Sequence, residues 1–435
     1  MRASEFPALL TALKRVNGEL NDLEALAGVA EAQARPCHLE VDFSSRCNYR
    51  CPMCHQSKLD MGRYSLNRDQ IDTLINSLPY IDTVMIAGLG EPLLYPGLGR
   101  FLPWLRRYGC HAHLFTNGEL IDRRLNWLRD LDRISVSLDG ATATTFETLR
   151  SGGHFARVVD NIRALRAAAP HTQLVTSTVV SRLNLREVAD IVALAAALGM
   201  QEVHLSPVDH TPTLELCEDD APVFREQLDL ARLRYPQVRI FNNLAALHFL
   251  PGRNTVVDPS DLSKASAARS TPEAQPEPLE SWPEQGGAAS VAFIHGLEPE
   301  QQRAELERRL ERHLQSLRAL RQRVRAENLQ LELPYCAAAW KYGFARSRGD
   351  ARLCPYADVG LGPVESVMAG AYNAALLSEL RASMRAGQPC LTVCRGCTDD
   401  HRRFRIDSLQ AAQNLGAPLQ LPSSSARRET DCKRH

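Results

Sequence analysis

Between His38 and Pro207, short apolar or β-branched runs alternate with helical patterns, and this alternation limits the chain to very few folds. The runs are His38–Phe43, Thr83–Ala87, His111–Thr116, Arg133–Leu138, Gln173–Val180 and Glu202–Ser206, with helical periodicity near 68–78, 97–108, 120–130, 143–168 and 185–198. Strands alternating with helices imply a parallel sheet joined by right-handed crossovers. Six strands are too few for an eight-stranded barrel and suit a partial barrel or a doubly wound sheet. Either way, ligands collect at the carboxyl ends of the strands.

The remainder divides by composition. Residues 1–36 read as a helical cap, with an amphipathic helix over 7–33. Residues 37–207 are the βα core, and 208–250 extend it by a helix and a strand. Residues 251–297 are rich in Pro, Ser and Ala and read as a flexible linker. Residues 298–334 read as a charged helix whose mixed Arg and Glu indicate a solvated face. Residues 335–410 form a cysteine-rich module, and 411–435 a tail. The chain has 51 basic and 51 acidic residues, so no global field attracts nucleic acid or an anionic membrane. No run approaches the ~18 apolar residues of a membrane span. The start lacks the apolar core of a signal peptide. A cytoplasmic protein with no nucleic-acid or membrane partner is expected.

Twelve cysteines in such a chain suggest metal ligation before disulfides. Cys47-Asn48-Tyr49-Arg50-Cys51-Pro52-Met53-Cys54 directly follows the first strand and places three thiols on one loop. Structural zinc asks for four ligands, and His55 is badly placed to be the fourth. A cubane iron–sulfur cluster held by three cysteines keeps one iron open. Zinc and unligated thiols remain the competing readings. In the C-terminal module, Cys336, Cys354, Cys394 and Cys397 form a second set, which zinc and iron–sulfur fit equally. Cys390 is the alternative ligand. Cys37 and Cys110 read as core residues, and Cys217, His113, His204 and His210 as undecided.

The C-x3-C-x2-C loop resembles the signature of radical S-adenosylmethionine (radical SAM) enzymes, and further motifs follow in that family's order. Gly88-Leu89-Gly90-Glu91-Pro92 follows the second strand, and Thr116-Asn117-Gly118 the third. Ser137-Leu138-Asp139-Gly140 closes the fourth, with Arg150 and Gly152-Gly153 beyond it. Met53 departs from the aromatic residue of many members. The resemblance implies an α/β fold, a partial (β/α)6 TIM-like barrel with a C-terminal auxiliary-cluster domain. It implies a 4Fe-4S cluster on Cys47, Cys51 and Cys54. S-adenosylmethionine would be bound by Gly88, Gly90, Glu91, Asn117, Ser137, Asp139 and Arg150. Glu91 and the Gly90 carbonyl are expected at its ammonium, Ser137 and Asp139 at the ribose or methionine moiety, and Arg150 at its carboxylate or in a structural ion pair. The cofactor would be cleaved to a 5′-deoxyadenosyl radical that abstracts hydrogen from a peptide or small natural product.

The second cysteine set is similar to the SPASM/twitch extensions of that family and implies one auxiliary 4Fe-4S cluster that takes or relays an electron, hence an oxidoreductase. A flavodoxin- or ferredoxin-type donor would supply electrons. The alternatives are a redox-neutral epimerase or rearrangement enzyme, and a non-catalytic zinc or iron–sulfur protein.

Overall fold

In the computed structural model, the residues described are 5–57, 63–208, 211–244, 294–329, 331, 338–352, 360–364 and 375–385. The six expected strands form as β1 (His38–Val41), β2 (Thr83–Ile86), β3 (His111–Thr116), β4 (Arg133–Ser137), β5 (Gln173–Val180) and β6 (Glu202–Pro207). They pair in parallel, in chain order. The helices between them are α2 (Arg68–Ser77), α3 (Leu98–Arg107), α4 (Ile121–Leu128), α5 (Ala143–Leu149), α6 (Phe155–Ala168) and α7 (Val188–Ala197). Alternate strand residues explain the layering: Val84, Leu114, Ile134, Val136, Leu174 and Val203 are fully buried on one face. The other face carries His113, Ser135, Ser177 and His204, set off by the period of two.

Three details depart from the expected elements. The single helix over 143–168 is two, because Gly152 takes a φ of +91° that ends one helix and re-aims the chain. The first helix, α1, spans Glu5–Leu26 rather than 7–33 and stops before Gly28, whose φ is +64°. The sheet also exceeds six strands. The helix and strand expected over 208–250 form as α8 (Ala221–Arg234) and β7 (Arg239–Asn242), and β7 joins the sheet as a seventh parallel strand beside β6. On the opposite flank, β8 (Tyr342–Ala345) pairs in parallel with β1, and β9 (Asp350–Arg352) and β10 (Gly360–Pro363) follow antiparallel. The order is β10-β9-β8-β1-β2-β3-β4-β5-β6-β7, an open sheet with a partial-barrel core.

The charged helix is α9 (Pro299–Ala326), and it lies along α1. Leu20, Leu23, Leu317, Leu320 and Val324 make their shared apolar seam. The module after residue 335 grips the turn that follows α1. Arg385, at the end of α10 (Ala375–Arg385), donates to Leu26 O at 2.6 Å. Arg381 donates to Ala30 O at 2.9 Å, and Trp340 Nε1 to Val29 O at 3.0 Å. Leu26 O is one of the terminal carbonyls a helix leaves unpaired, a favoured place for a cation, and Val29 O and Ala30 O belong to the turn beyond it.

Inside this turn, Glu24 accepts from Gln33 N at 2.5 Å, and burial pushes its carboxyl up to about 7 from 4.5. The folded chain therefore holds this proton more tightly than the unfolded one. The resulting stability is fully present below about pH 4.5 and is lost as pH rises through about 7. Glu24→Gln is expected to flatten that part of the stability–pH profile, measured by urea denaturation between those limits.

Candidate active site

Four loops at the carboxyl ends of β1 to β4 meet around the three thiols. Cys51 is buried, Cys47 and Cys54 are half-buried, and none of the three is in a disulfide. Burial pushes Cys47 up to about 12, with Glu91, Cys51 and Cys54 adding to the rise. Burial likewise pushes Cys51 up to about 11, countered by Arg150. Burial disfavours the charged forms of Cys47 and Cys51, and a cationic metal centre would offset this by stabilising thiolates and releasing their protons on binding. Among the described residues no three metal-ligating side chains converge on one point.

The loop after β2 braces the cysteine loop from beneath. Glu91 N donates to Arg46 O at 2.8 Å. A Cβ on Gly90 would overlap the Ser44 carbonyl and lie 2.6 Å from Arg46 O, and one on Gly88 would overlap the Asp42 carboxylate. Both glycines leave room for the segment Asp42–Arg46, which leads from β1 into the cysteine loop. Gly90→Ala is expected to cost about 1–3 kcal/mol by overpacking and to displace the loop; denaturant unfolding and retained iron check both effects.

The Glu91 side chain is 2% exposed and ties this loop to the one after β3. It accepts from Leu93 N at 3.1 Å, Thr116 Oγ1 at 2.7 Å and Asn117 N at 2.7 Å. Burial raises its pKa, and these three bonds counter the rise. Asn117 in turn reaches the cysteine loop, with Nδ2 donating to Asn48 Oδ1 at 2.8 Å and lying 3.9 Å from Cys47 Sγ.

Beyond β4, Asp139 is wholly buried, and both its oxygens serve the protein. Val179 N donates to Oδ1 at 2.8 Å, and Arg150 Nε is ion-paired with Oδ2. Arg150 also points Nη1 at Cys51 Sγ, 3.9 Å away. Of the two roles expected for Arg150, the geometry displays the structural ion pair. Ser137 ends β4 and stands in register with Ser177, then His204, then Phe241 on neighbouring strands. The His204 and Phe241 rings lie 4.6 Å apart. Burial pushes His113, on the same face, down to about 3, so it is neutral there.

Two parts of the site carried no motif. Ser347, on the β8–β9 hairpin, donates to Asp42 Oδ2 at 3.0 Å, joining the C-terminal module to the root of the cysteine loop. Burial pushes the Asp42 carboxyl up to about 6. Tyr49 and Glu119 form a buried pair beneath the cysteines. Glu119 follows Thr116-Asn117-Gly118 directly, which is the only sequence hint. Cys336, Cys354, Cys390, Cys394, Cys397 and His210 lie outside the described residues.

Residues 41–195 match the family model described as Radical SAM superfamily. A protein of Saccharolobus islandicus described as probable GTP 3′,8-cyclase is 27% identical over 221 residues, 49% of this chain and 69% of its own. Its counterpart from Saccharolobus solfataricus is 29% identical over 174 residues, 38% of this chain and 55% of its own. Among solved structures, native anSMEcpe with bound AdoMet gives a TM-score of 0.50 at 14% identity, covering 87% of this chain and 96% of that one, a likeness of fold. The family match runs from β1 into α7 and takes in every loop that meets at the thiols. Over this span the chain is similar to the radical SAM superfamily.

Proposed function

We propose that this chain is a radical SAM enzyme in which Cys47, Cys51 and Cys54 hold a 4Fe-4S cluster and S-adenosylmethionine binds beside it. Together these groups supply one-electron cleavage of the sulfonium and hydrogen abstraction from an unactivated C–H bond. The observation that carries this reading is the set of hydrogen bonds knitting strand-end loops around three thiols. In it, the Gly90 carbonyl and Glu91 receive the cofactor's ammonium, and Gly88 leaves room for Asp42. Asn117 steadies the cysteine loop. Ser137 takes the ribose contact, with Asp139 serving through Arg150, which positions Cys51.

The polar row Ser137, Ser177 and His204, ending at Phe241, suits a polar substrate with one flat or apolar portion. We assign the substrate to the class of peptides and small natural products. Cys336, Cys354, Cys394 and Cys397, with Cys390 as the alternative, are proposed to hold an auxiliary 4Fe-4S cluster. That cluster would take or relay an electron, making the reaction a net oxidation fed by a flavodoxin- or ferredoxin-type donor. A redox-neutral rearrangement is the second reading, favoured by the relatives described as probable GTP 3′,8-cyclase. Among the described residues no helix is long and apolar enough to cross a membrane. A cytoplasmic enzyme without membrane or nucleic-acid partner is part of the proposal.

The test is anaerobic reconstitution with iron and sulfide, an iron count, and addition of S-adenosylmethionine and dithionite. About eight irons per chain with 5′-deoxyadenosine supports two cubanes, and about four removes the auxiliary one. Zinc without the nucleoside overturns the whole reading. GTP-dependent stimulation of nucleoside release, with a GTP-derived product, favours the second reading.

A further inference from the structure

The three residues between Cys47 and Cys51 are each tied to a different neighbour. Asn48 accepts from Asn117 at 2.8 Å, and Arg50 N donates to Ser151 O at 2.8 Å. Between them, the Tyr49 ring is buried, and its hydroxyl donates to Glu119 Oε2 at 2.7 Å. Glu119 is 6% exposed and is held from the other side by the head of α6. His154 N donates to Oε2 at 3.2 Å, His154 Nδ1 lies 2.9 Å from Oε1, and Arg157 Nε lies 3.8 Å from Oε1. Asn161, further along α6, donates to Glu119 O at 3.1 Å and Gly118 O at 2.8 Å. The slot for the ring is cut by Gly153, where a Cβ would sit 2.7 Å from Tyr49 Cζ and 2.8 Å from its hydroxyl oxygen.

An apolar side chain would fill this slot without burying a carboxylate, which is costly to desolvate unless paired. What the phenol adds is direction: a short bond from the middle of a ligand loop to a point fixed on a helix. Partners of this kind, one step behind the ligands, set how firmly a metal is held. We infer that the Tyr49–Glu119 pair is a positioning element for the cluster, holding Cys47 and Cys51 at the spacing at which both thiolates reach one iron–sulfur group. Glu119 is the fixed end and Tyr49 the arm. This rests on the cluster reading above.

The test uses the full chain, loaded anaerobically with cluster and without S-adenosylmethionine. Iron release to a ferrous chelator is followed in the parent, Tyr49→Phe and Glu119→Gln. Tyr49→Phe is expected to load the same iron and release it about 10-fold faster or more. Glu119→Gln, whose amide oxygen still accepts from the phenol, is expected to lie between it and the parent. The melting midpoint of the metal-free Tyr49→Phe chain should stay within a few degrees of the parent, separating positioning from folding. If Tyr49→Phe does not fold, Glu119→Gln decides alone: faster release supports the inference and parental release overturns it. A parent that holds iron while both variants release it at the parental rate overturns this inference alone. A parent that takes up no iron overturns the cluster reading and this inference with it.

Discussion

A Cys51→Ala chain is expected to fold, to lose about four irons per chain, and to form no 5′-deoxyadenosine above the uncatalysed background. Cys51 is buried beside Arg150, so removing its sulfur leaves little to collapse, and the metal-free chain should lose only about 1 kcal/mol. Iron counting, visible absorbance and nucleoside chromatography read the outcome. Cys110 is the internal control. It is also a buried free thiol, but it sits at the opposite end of β3 against Leu78 and Ile81. Cys110→Ala should keep both iron and nucleoside. Parental nucleoside yield from Cys51→Ala would remove the three-cysteine reading.

The second large effect falls on stability. Arg150→Met leaves the Asp139 carboxylate fully buried with its cationic partner gone, and breaking a buried pair from one side costs about 3–5 kcal/mol. The double variant Arg150→Met with Asp139→Asn removes the stranded charge and should recover part of that loss. Urea denaturation of the parent, the two single variants and the double variant closes the cycle. An Arg150→Met chain as stable as the parent would mean that water or another cation already serves Asp139.

How legible all this is in the sequence depends on the range of the interactions. The six core strands are found within a residue or two at most ends, because alternation of apolar and polar positions is a local signal that burial enforces. The break inside 143–168 was announced by Gly152-Gly153, yet those glycines read as a motif instead of a helix stop. The role of Gly153 shows only once the Tyr49 ring stands against it. Strand β7 was expected within 208–250, but Arg-Ile-Phe-Asn sets no polar–apolar alternation that would fix its ends. Strand β8, Tyr-Gly-Phe-Ala, becomes a strand through its partner β1.

The site divides the same way. The cysteines, Gly90 and Glu91 are legible because a strand end, a loop and a residue type coincide. The pairing of Asp139 with Arg150 is a tertiary fact. So is the joining of Tyr49 to Glu119 across 70 positions of chain.

The pairing of β8 with β1 also bears on how the chain is made. His38 is opposite Tyr342, about 300 residues later. At ribosomal rates of roughly 5–20 residues per second, β1 therefore waits on the order of 15–60 s for its outer neighbour. Throughout that interval the nascent sheet shows an open strand edge, next to the loop carrying three cysteines, to whatever else the cell holds nearby.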